Sequence, residues 1–233
     1  MSRFRNYFKL ISFKYNMFCY RLKQLRFNLL HWIVSKIISK NVTIIAQDFI
    51  AAALYQFMGK KYNSPTIGLW VSTPDYISFL KKLPNLRTYK LNFIHEKDFD
   101  YPVGYLEDVK IGFQHYETEE VALSKWNNRC KRIDYKNLFV IIDFRYQWYE
   151  KEDVRQWNLM KLKNSLAIVN KGTMDKFGDV HNKVELTSKL DYNNTRKEIM
   201  KRFVFWKWFN SFNLKTPNFI QSIALNLLVK LYS

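Results

Sequence analysis

The chain has 233 residues, with 38 Lys and Arg against 20 Asp and Glu, which gives a formal net charge of +18. Hydrophobic residues make up 48% of it and aromatic residues 18%, so it can build a packed core and is not a disordered or low-complexity protein. Its two cysteines, Cys19 and Cys130, are too few and too isolated for a disulfide framework or a zinc site, which indicates a reducing compartment.

The first segment of the chain is basic and is predicted to form an amphipathic helical arm over residues 1–40. No Asp or Glu occurs from Met1 to Gln47, whereas Lys and Arg recur throughout this stretch. The large apolar residues are spaced alternately four and three apart, which places them along one face of a helix. They are Phe4, Phe8, Ile11, Tyr15, Phe18, Leu22, Leu25, Leu29 and Trp32.

Three interpretations of this basic arm are open: it covers the protein's own core, binds RNA, or lies in an anionic membrane interface. Aromatic rings and cations both suit the headgroup region of a bilayer. Charges interrupt every apolar run well before the roughly 20 residues that a spanning helix needs, and no signal-peptide cleavage pattern follows. We therefore expect a cytoplasmic protein that is peripheral at the inner face of the cell membrane.

Residues 41–210 are predicted to form an α/β domain. Apolar, β-branched runs predict strands over 42–46, 66–71, 89–94, 109–113 and 138–142. Helical patterns lie between them, over 47–58, over 74–83 and from Thr118 onward; Thr73 is the expected N-cap of the second, and Pro84 its end. This alternation predicts a mixed or mostly parallel sheet covered by helices. A C-terminal amphipathic helix is expected over 211–233, packed on the core or on a membrane.

Polar residues follow several of the predicted strands. In open α/β sheets ligands bind beyond the carboxyl ends of the strands, so these side chains would converge on one edge if the strands are parallel. His115 is a candidate general base, and Asp48 and Asp143 are candidate catalytic residues that would orient the reacting group. The alternative is structural: Asp after a strand is often a cap or a turn former, and a histidine can bond to a backbone carbonyl.

A cationic stripe is predicted on the helix that follows Thr118. Lys125, Arg129 and Arg132 are spaced i, i+4 and i+7, whereas Trp126 faces the core with Ala122 and Ile133. Guanidinium groups bind phosphate oxygens in bidentate fashion, so we assign the three cations to phosphate binding. The alternative is a solvated face, or pairing with the acidic residues Glu117, Glu119 and Glu120.

Several common catalytic motifs are absent from the sequence. It has no P-loop, G-x-G-x-x-G, H-E-x-x-H, C-x-x-C or G-x-S-x-G pattern. Asp98-Phe99-Asp100 has the D-x-D form by which many sugar-nucleotide transferases hold a divalent cation, but a pattern this short is common by chance. We assign no metal ligands, and the sequence leaves the cofactor open.

An ordered series of segments over residues 42–210 resembles the domain of unknown function nineteen-nineteen family. The segments include Tyr62 to Leu69, Tyr101 to Gly104, His115-Tyr116 and Lys125 to Ile133. The resemblance implies an α/β fold and a role in bacterial exopolysaccharide or capsule biosynthesis, and it supplies no proven catalytic residue. From the matching segments we take as substrate-binding candidates Asn63, Ser64, Thr66, Asp75, Tyr116 and Trp126.

The chain departs from that family at the turn after the first strand. The resemblance implies a turn with a cysteine and two glycines, but the sequence here runs Ala46-Gln47-Asp48-Phe49-Ile50-Ala51-Ala52. If that cysteine is a nucleophile, this chain has lost it, and Ala51 and Ala52 would obstruct a phosphate that approaches the backbone. Asp48 remains, so acid–base or hydrogen-bonding chemistry is favoured over thiol chemistry.

Together these features predict a transferase of surface-polysaccharide assembly that acts on a nucleotide-linked or lipid-diphosphate-linked sugar at an anionic membrane surface. His115 would activate an acceptor hydroxyl, and the cations would neutralise the phosphate. The alternative is a non-catalytic module that docks on the membrane and the assembly machinery. RNA binding is the third hypothesis; a net charge of +18 suits it, but no RNA-reading motif is present, which disfavours nucleic acid.

Overall fold

A computed structural model describes residues 2–38, 41–145, 149–171, 178–187, 192–202, 205–211 and 218–232. The helices are α1 (Ser2–Ile37), α2 (Ile50–Met58), α3 (Thr73–Lys82), α4 (Glu119–Cys130), α5 (Lys151–Met160), α6 (Tyr192–Arg202), α7 (Phe205–Ser211) and α8 (Phe219–Tyr232). The strands are β1 (Thr43–Ala46), β2 (Asn92–Ile94), β3 (Val103–Leu106), β4 (Val109–Gly112), β5 (Leu138–Asp143), β6 (Ser165–Asn170) and β7 (Lys183–Leu186). Short 3-10 helices cover Leu83–Thr88 and Tyr135–Asn137.

The main sheet has four parallel strands in the order β1-β5-β6-β7. Strands β1, β5 and β6 consist almost entirely of buried residues, as expected for parallel strands that are covered on both faces. In the register of the first pair, Ala46 lies opposite Ile141, so β1 and β5 end side by side. The α/β class and the largely parallel sheet predicted from the sequence are confirmed.

A second, smaller sheet has three antiparallel strands in the order β2-β3-β4. The strand predicted over 66–71 is wrong: this segment consists of turns and contributes one isolated bridge, between Trp70 and Gly112. Residues 65–68 form a turn, which ends at Gly68 with a φ of 73°, in the left-handed region that favours glycine. This irregular segment, which we call the 62–72 loop, lies at the edge of the site described below.

Two apolar cores cover the two faces of the parallel sheet. Alternate residues of β1 and β5 face opposite sides: Ile45 and Val140 join one core, and Ile44 and Phe139 join the other. The first core also takes apolar residues from α3, α4, α5 and the antiparallel sheet. The second core takes them from α2, α6, α7, α8 and the end of α1. The architecture is therefore a sheet between two layers, which holds the ends of β1 and β5 rigidly.

Polar side chains cap the N-termini of α3 and α4. The N-cap of α3 is Ser72 and not the predicted Thr73; its hydroxyl accepts from the Asp75 amide at 3.2 Å and donates to Asp75 Oδ2 at 2.6 Å. Thr118 caps α4 as expected, with its hydroxyl accepting from the Val121 amide at 3.3 Å. Pro84 does not end the helical path, because the chain continues as the 3-10 helix Leu83–Thr88.

The terminal helices pack on the body of the protein at one place and are exposed elsewhere. Val34 and Ile38 at the end of α1 are buried in the second core, together with Leu225 and Val229 of α8. By contrast, several large apolar side chains of α1 are exposed, namely Tyr15, Met17, Phe18, Tyr20, Leu22, Leu25, Leu29 and Trp32. Within the ranges that the structure describes, no helix combines the length and the apolar character needed to cross a membrane. The helix predicted over 211–233 is present as α8.

Candidate functional site

Two carboxyl groups meet where β1 and β5 end. Asp143 is the last residue of β5, and Asp48 comes two residues after β1. Gln47 joins the two strands: its Oε1 accepts from the Asp143 amide at 3.3 Å, and its Nε2 donates to the carbonyl of Val71 at 3.2 Å and the hydroxyl of Thr73 at 2.9 Å. The convergence predicted from the strand ends is therefore present for this pair of aspartates.

Asp143 is held in a buried ion pair with Arg145. The Arg145 Nε donates to both carboxylate oxygens, at 2.9 and 3.1 Å, and Nη2 donates to Oδ2 at 2.5 Å. The Arg145 backbone amide adds a bond to Oδ1 at 3.0 Å, and Nη1 donates to the hydroxyl of Thr195 in α6 at 2.8 Å. Charge-assisted bonds of this kind stabilise an ionised carboxylate, so Asp143 is an anion in the folded protein.

Asp48 is bonded differently. Its Oδ1 accepts from the Ile50 amide at 2.9 Å, but its Oδ2 is buried and has no hydrogen-bond donor among the residues that the structure describes. The pKa of Asp48 is raised well above its usual range, because burial disfavours the charged form and because the carboxylate of Asp143 lies beside it. Burial and the neighbouring carboxylate therefore favour the protonated form of Asp48.

A cavity of about 130 Å³ opens in front of Asp48, and we call it the inner cavity. His115 lies on its wall, exposed to solvent, and no hydrogen bond to its ring occurs within the described residues. A Cβ on Gly68 would stand 3.4 Å from His115 Cδ2, an ordinary van der Waals contact, so the loop lies against the ring. The remaining lining residues are Gln47, Phe49, Leu69, Trp70, Val71, Ser72, Thr73 and Gln114.

A second cavity of about 440 Å³, the outer cavity, adjoins the first. Phe49, Gly68 and His115 line both, so the two cavities lie side by side, and we call them together the cleft. The outer cavity is also lined by two tyrosines, Tyr62 and Tyr116, and by two cations, Lys125 and Arg129. Acid–base groups at one end of the cleft are thus joined to aromatic and cationic groups at the other.

Arg129 is held in place between the two aromatic rings. Its guanidinium carbon lies 5.6 Å from the centre of the Tyr62 ring and 6.0 Å from that of Tyr116. Nη1 donates to the carbonyl of Ile67 at 3.1 Å and to the Tyr116 hydroxyl at 2.5 Å, and that hydroxyl donates to Ile67 as well. Arg129 therefore fixes the 62–72 loop and keeps donor capacity for a ligand. Lys125 is exposed at the rim.

The other predicted cations and acids have structural contacts. Helix α4 ends at Cys130, so Arg132 lies beyond it and donates from Nη2 to the carbonyl of Tyr62 at 2.9 Å. It supports the loop and does not line the cleft. Asp75 accepts from the hydroxyl of Ser72 and from the Lys110 amide, which fixes the start of α3 beside β4. Neither residue is included in the site that we propose.

The remaining substrate-binding candidates are inside the protein. Asn63, Ser64 and Thr66 are buried; Asn63 donates to the Asn41 side chain at 2.6 Å, and Thr66 Oγ1 accepts from the Ala46 amide at 3.2 Å. Trp126 is 3% exposed and belongs to the first core. Its core-facing orientation agrees with the helical spacing, but its assignment to substrate binding has no support from its position. We leave these four residues out of the site.

The described residues show no group of three or more His, Cys, Asp or Glu side chains arranged to hold a metal ion. Asp100 of the D-x-D segment lines a separate cavity, with Glu96 and three further glutamates. Glu96 is already paired with Lys110 and accepts from Tyr105. The cleft is therefore assigned no metal ligand.

The altered turn after β1 forms part of the cleft. Phe49 lines both cavities, and Ala52 lines the outer one, so apolar side chains stand where the resemblance implies cysteine and glycine. Cys130, at the end of α4, does not replace the lost thiol. Its side chain is buried, and burial raises the pKa of the thiol to about 12, so it remains protonated and unreactive.

Sequence reasoning missed several residues of the site. Arg145 follows Asp143 by two positions, and this spacing after a strand was a usable signal for a carboxylate partner. Thr195 is 50 residues from Arg145 in the chain, and nothing in the sequence predicts the hydrogen bond between them. Tyr62 and Phe49 lie in loop or turn segments whose course depends on tertiary contacts, so their presence in the cleft follows only from the fold.

Comparisons with known proteins agree with the resemblance found in the sequence. The model of the family described as "Domain of unknown function (DUF1919)" matches residues 21–210, so the chain belongs to this family. A protein of Haemophilus influenzae (strain Rd), named only "Uncharacterized protein", is 29% identical over 149 residues, which is 64% of this chain and 71% of that protein.

Proposed function

We propose that this member of the DUF1919 family is a transferase of capsule or exopolysaccharide biosynthesis. It would act on a sugar, or on a group added to a sugar, that is carried by a nucleotide or by a lipid diphosphate. One observation carries the proposal: His115 lines both the inner and the outer cavity, so acid–base groups stand next to aromatic rings and cations. A phosphate-linked sugar needs both sets of groups.

The outer cavity suits the phosphate-linked sugar. Its volume of about 440 Å³ lies within the range of small-molecule sites. Tyr62 and Tyr116 present aromatic surface to the apolar face of a sugar ring, and Lys125 and Arg129 attract diphosphate oxygens. Since Arg129 is already fixed by Ile67 and Tyr116, little side-chain entropy is lost when it binds an anion.

The inner cavity suits the acceptor. His115 would take the proton of an acceptor hydroxyl as the hydroxyl oxygen forms its bond to the transferred group. The bond between that group and the phosphate oxygen breaks, and its electron pair stays on the phosphate, where Lys125 and Arg129 stabilise the charge. The proton on His115 then passes to solvent, because this side chain is exposed.

We also propose that the protein is cytoplasmic and docks on an anionic membrane through α1. Tyr15, Phe18, Leu25 and Trp32 are each at least 60% exposed, and an exposed apolar row of this length is uncommon on a monomeric soluble protein. The first acidic residue of the chain is Asp48, so the row is flanked by cations only. This charge pattern matches an anionic lipid surface and opposes pairing of α1 with a second copy of itself.

The test of catalysis compares two exposed histidines. The full chain is assayed for transfer of radiolabelled sugar from a set of nucleotide sugars, and from undecaprenyl-diphosphate-linked sugar, to membrane-extracted acceptors. His115→Ala should lower turnover by about two to four orders of magnitude with unchanged thermal unfolding. His181→Ala, on the far side of the molecule, should leave turnover unchanged. Equal turnover in the His115 variant and the unmodified chain removes the assignment.

The second candidate is a non-catalytic module that binds a lipid-linked saccharide at the membrane. The loss of the cysteine and glycines at the turn after β1 favours it. The same assay separates the two, because a binding module retains the labelled lipid-linked sugar on the protein and releases it chemically unchanged.

The test of membrane docking compares two exposed leucines. Leu25 of α1 is 64% exposed and Leu159 of α5 is 57% exposed, so each can be replaced by serine without disturbing a core. Leu25→Ser should weaken sedimentation with vesicles that contain anionic phospholipid by about tenfold, since burial of a leucine contributes roughly 1.5–3 kcal/mol. Leu159→Ser should bind as the unmodified chain does. Equal binding to anionic and neutral vesicles, or salt-sensitive RNA binding instead, contradicts docking.

A further inference from the structure

We infer that Asp48 is neutral in the folded protein and forms a buried carboxyl–carboxylate pair with Asp143, with Arg145 as the positioning residue that maintains this state. The role of this pair in a reaction rests on the proposed function. The protonation pattern itself rests on the contacts of a few buried side chains.

The first step concerns Asp143, which is bonded to Arg145. Three donor groups of one residue, its backbone amide, Nε and Nη2, reach the two carboxylate oxygens at 2.5–3.1 Å. Both side chains are almost completely buried, and Thr195 fixes the far side of the guanidinium. A carboxylate with this many charge-assisted donors stays ionised, and the Arg145 charge is used in balancing it.

The second step concerns Asp48, which lies within hydrogen-bonding reach of Asp143 and, within the described part of the chain, has no cation nearby other than Arg145. Arg145 lowers the pKa of Asp48 less than burial and Asp143 raise it. An ionised Oδ2 here would be a buried charge without a donor, next to a second anion, which is strongly unfavourable. A protonated Oδ2 removes that charge and gains a donor. The buried group formed by the Arg145 cation, the Asp143 anion and a protonated Asp48 has no net charge.

The third step accounts for the other groups that face Asp48. From α2, the Ile50 amide bonds to Oδ1 at 2.9 Å. From α3, Tyr76 lies near enough to raise its own pKa through Asp48, but its hydroxyl donates to the carbonyl of Ile45 at 3.1 Å. Across the cavity stands His115. Apart from Arg145, already committed to Asp143, no cation among these groups stabilises an Asp48 carboxylate.

The consequence concerns the acid–base chemistry of the inner cavity. The proton of Asp48 lies between two buried carboxyl groups, because Oδ2 is buried beside Asp143. Among the residues that line this cavity, His115 is therefore left as the exposed acid–base group. In the proposed transfer, the proton of the acceptor hydroxyl passes to His115, and the carboxyl pair fixes the ends of β1 and β5.

The test needs no ligand and is made on the full chain labelled with ¹³C at the aspartate carboxyls. NMR spectra recorded from pH 4 to pH 9 report each carboxyl separately, and Asp48→Asn identifies the signal of Asp48. We expect one signal in the protonated position at pH 7 that is absent from Asp48→Asn. Asp75→Asn is the control, since Asp75 also accepts two bonds in this region, and it should leave that signal in place.

Asp143→Asn tests the role of the ion pair. It removes the anion beside Asp48 and frees Arg145, so the midpoint of the Asp48 signal should fall by at least one pH unit, the scale of a single nearby charge. Arg145→Lys should lead Asp143 and Asp48 to titrate as a coupled pair. An Asp48 signal that titrates near pH 4, with the exposed aspartates, overturns the inference. Because these spectra are recorded without substrate, that result leaves the transferase proposal standing.

Discussion

The buried proton on Asp48 should be measurable as a dependence of stability on pH. A carboxyl whose pKa is higher in the folded than in the unfolded chain binds more protons in the native state. Its contribution to stability is fully present below the unfolded pKa, about 3.9 for Asp, and is lost as the pH rises through the folded value. The pKa of Asp48 is raised well above its usual range, so the loss extends upward from about pH 4.

Asp48→Asn isolates this contribution, because asparagine has the same shape and does not titrate. One proton is involved, so the free energy of unfolding of the unmodified chain should fall relative to the variant by up to about 1.4 kcal/mol per pH unit in this window. Urea unfolding followed by circular dichroism from pH 4.5 to pH 8 measures the difference. The variant should be the relatively more stable protein at the upper end. A difference that does not change with pH would refute a buried, protonated Asp48.

Two further predictions concern packing around the site. Trp126→Ala should lower the free energy of unfolding by about 3–5 kcal/mol in urea titrations, because the ring packs against Phe79 and Phe113 in the first core; unchanged stability would show that the ring is not a core residue. Gly59→Ala should cost about 1–3 kcal/mol by the same measurement, since Gly59 has a φ of 61° and an added Cβ would stand 2.9 Å from His31 Cγ. A fully stable Gly59 variant would contradict the seating of α1 on α2.

The strand ends show how far sequence patterns lead. Apolar β-branched runs and the polar residues after them predicted β1 and β5 and the meeting of Asp48 with Asp143, because parallel neighbours end at the same edge. The pattern failed over 66–71, where apolar residues are buried in turns and not in a strand. A buried turn and a buried strand have the same apolar composition, so composition does not distinguish them. The left-handed backbone at Gly68 is what marks this segment as a turn.

The candidate site was predictable only in part, for a similar reason. Charge and spacing identified His115, Lys125 and Arg129, all of which line the cleft. They did not separate Arg129 from Arg132, because α4 ends between these residues and turns the second toward the Tyr62 carbonyl. Residue type also did not reveal that Ser64 and Thr66 bond to each other and to β1. Such partners come from distant parts of the chain and depend on the completed fold.

The most direct test of the central proposal is equilibrium binding of nucleotide sugars to the cleft. Isothermal titration of the full chain with UDP-glucose and UDP-N-acetylglucosamine is compared with that of Lys125→Ala, at the rim of the outer cavity, and Lys163→Ala, an exposed lysine in a separate basic groove. We predict binding that Lys125→Ala weakens about fivefold, roughly 1 kcal/mol for one exposed charge, and that Lys163→Ala leaves unchanged. Equal affinity of the Lys125 variant and the unmodified chain, or loss of binding in the Lys163 variant instead, would contradict the assignment of the cleft to a phosphate-linked sugar.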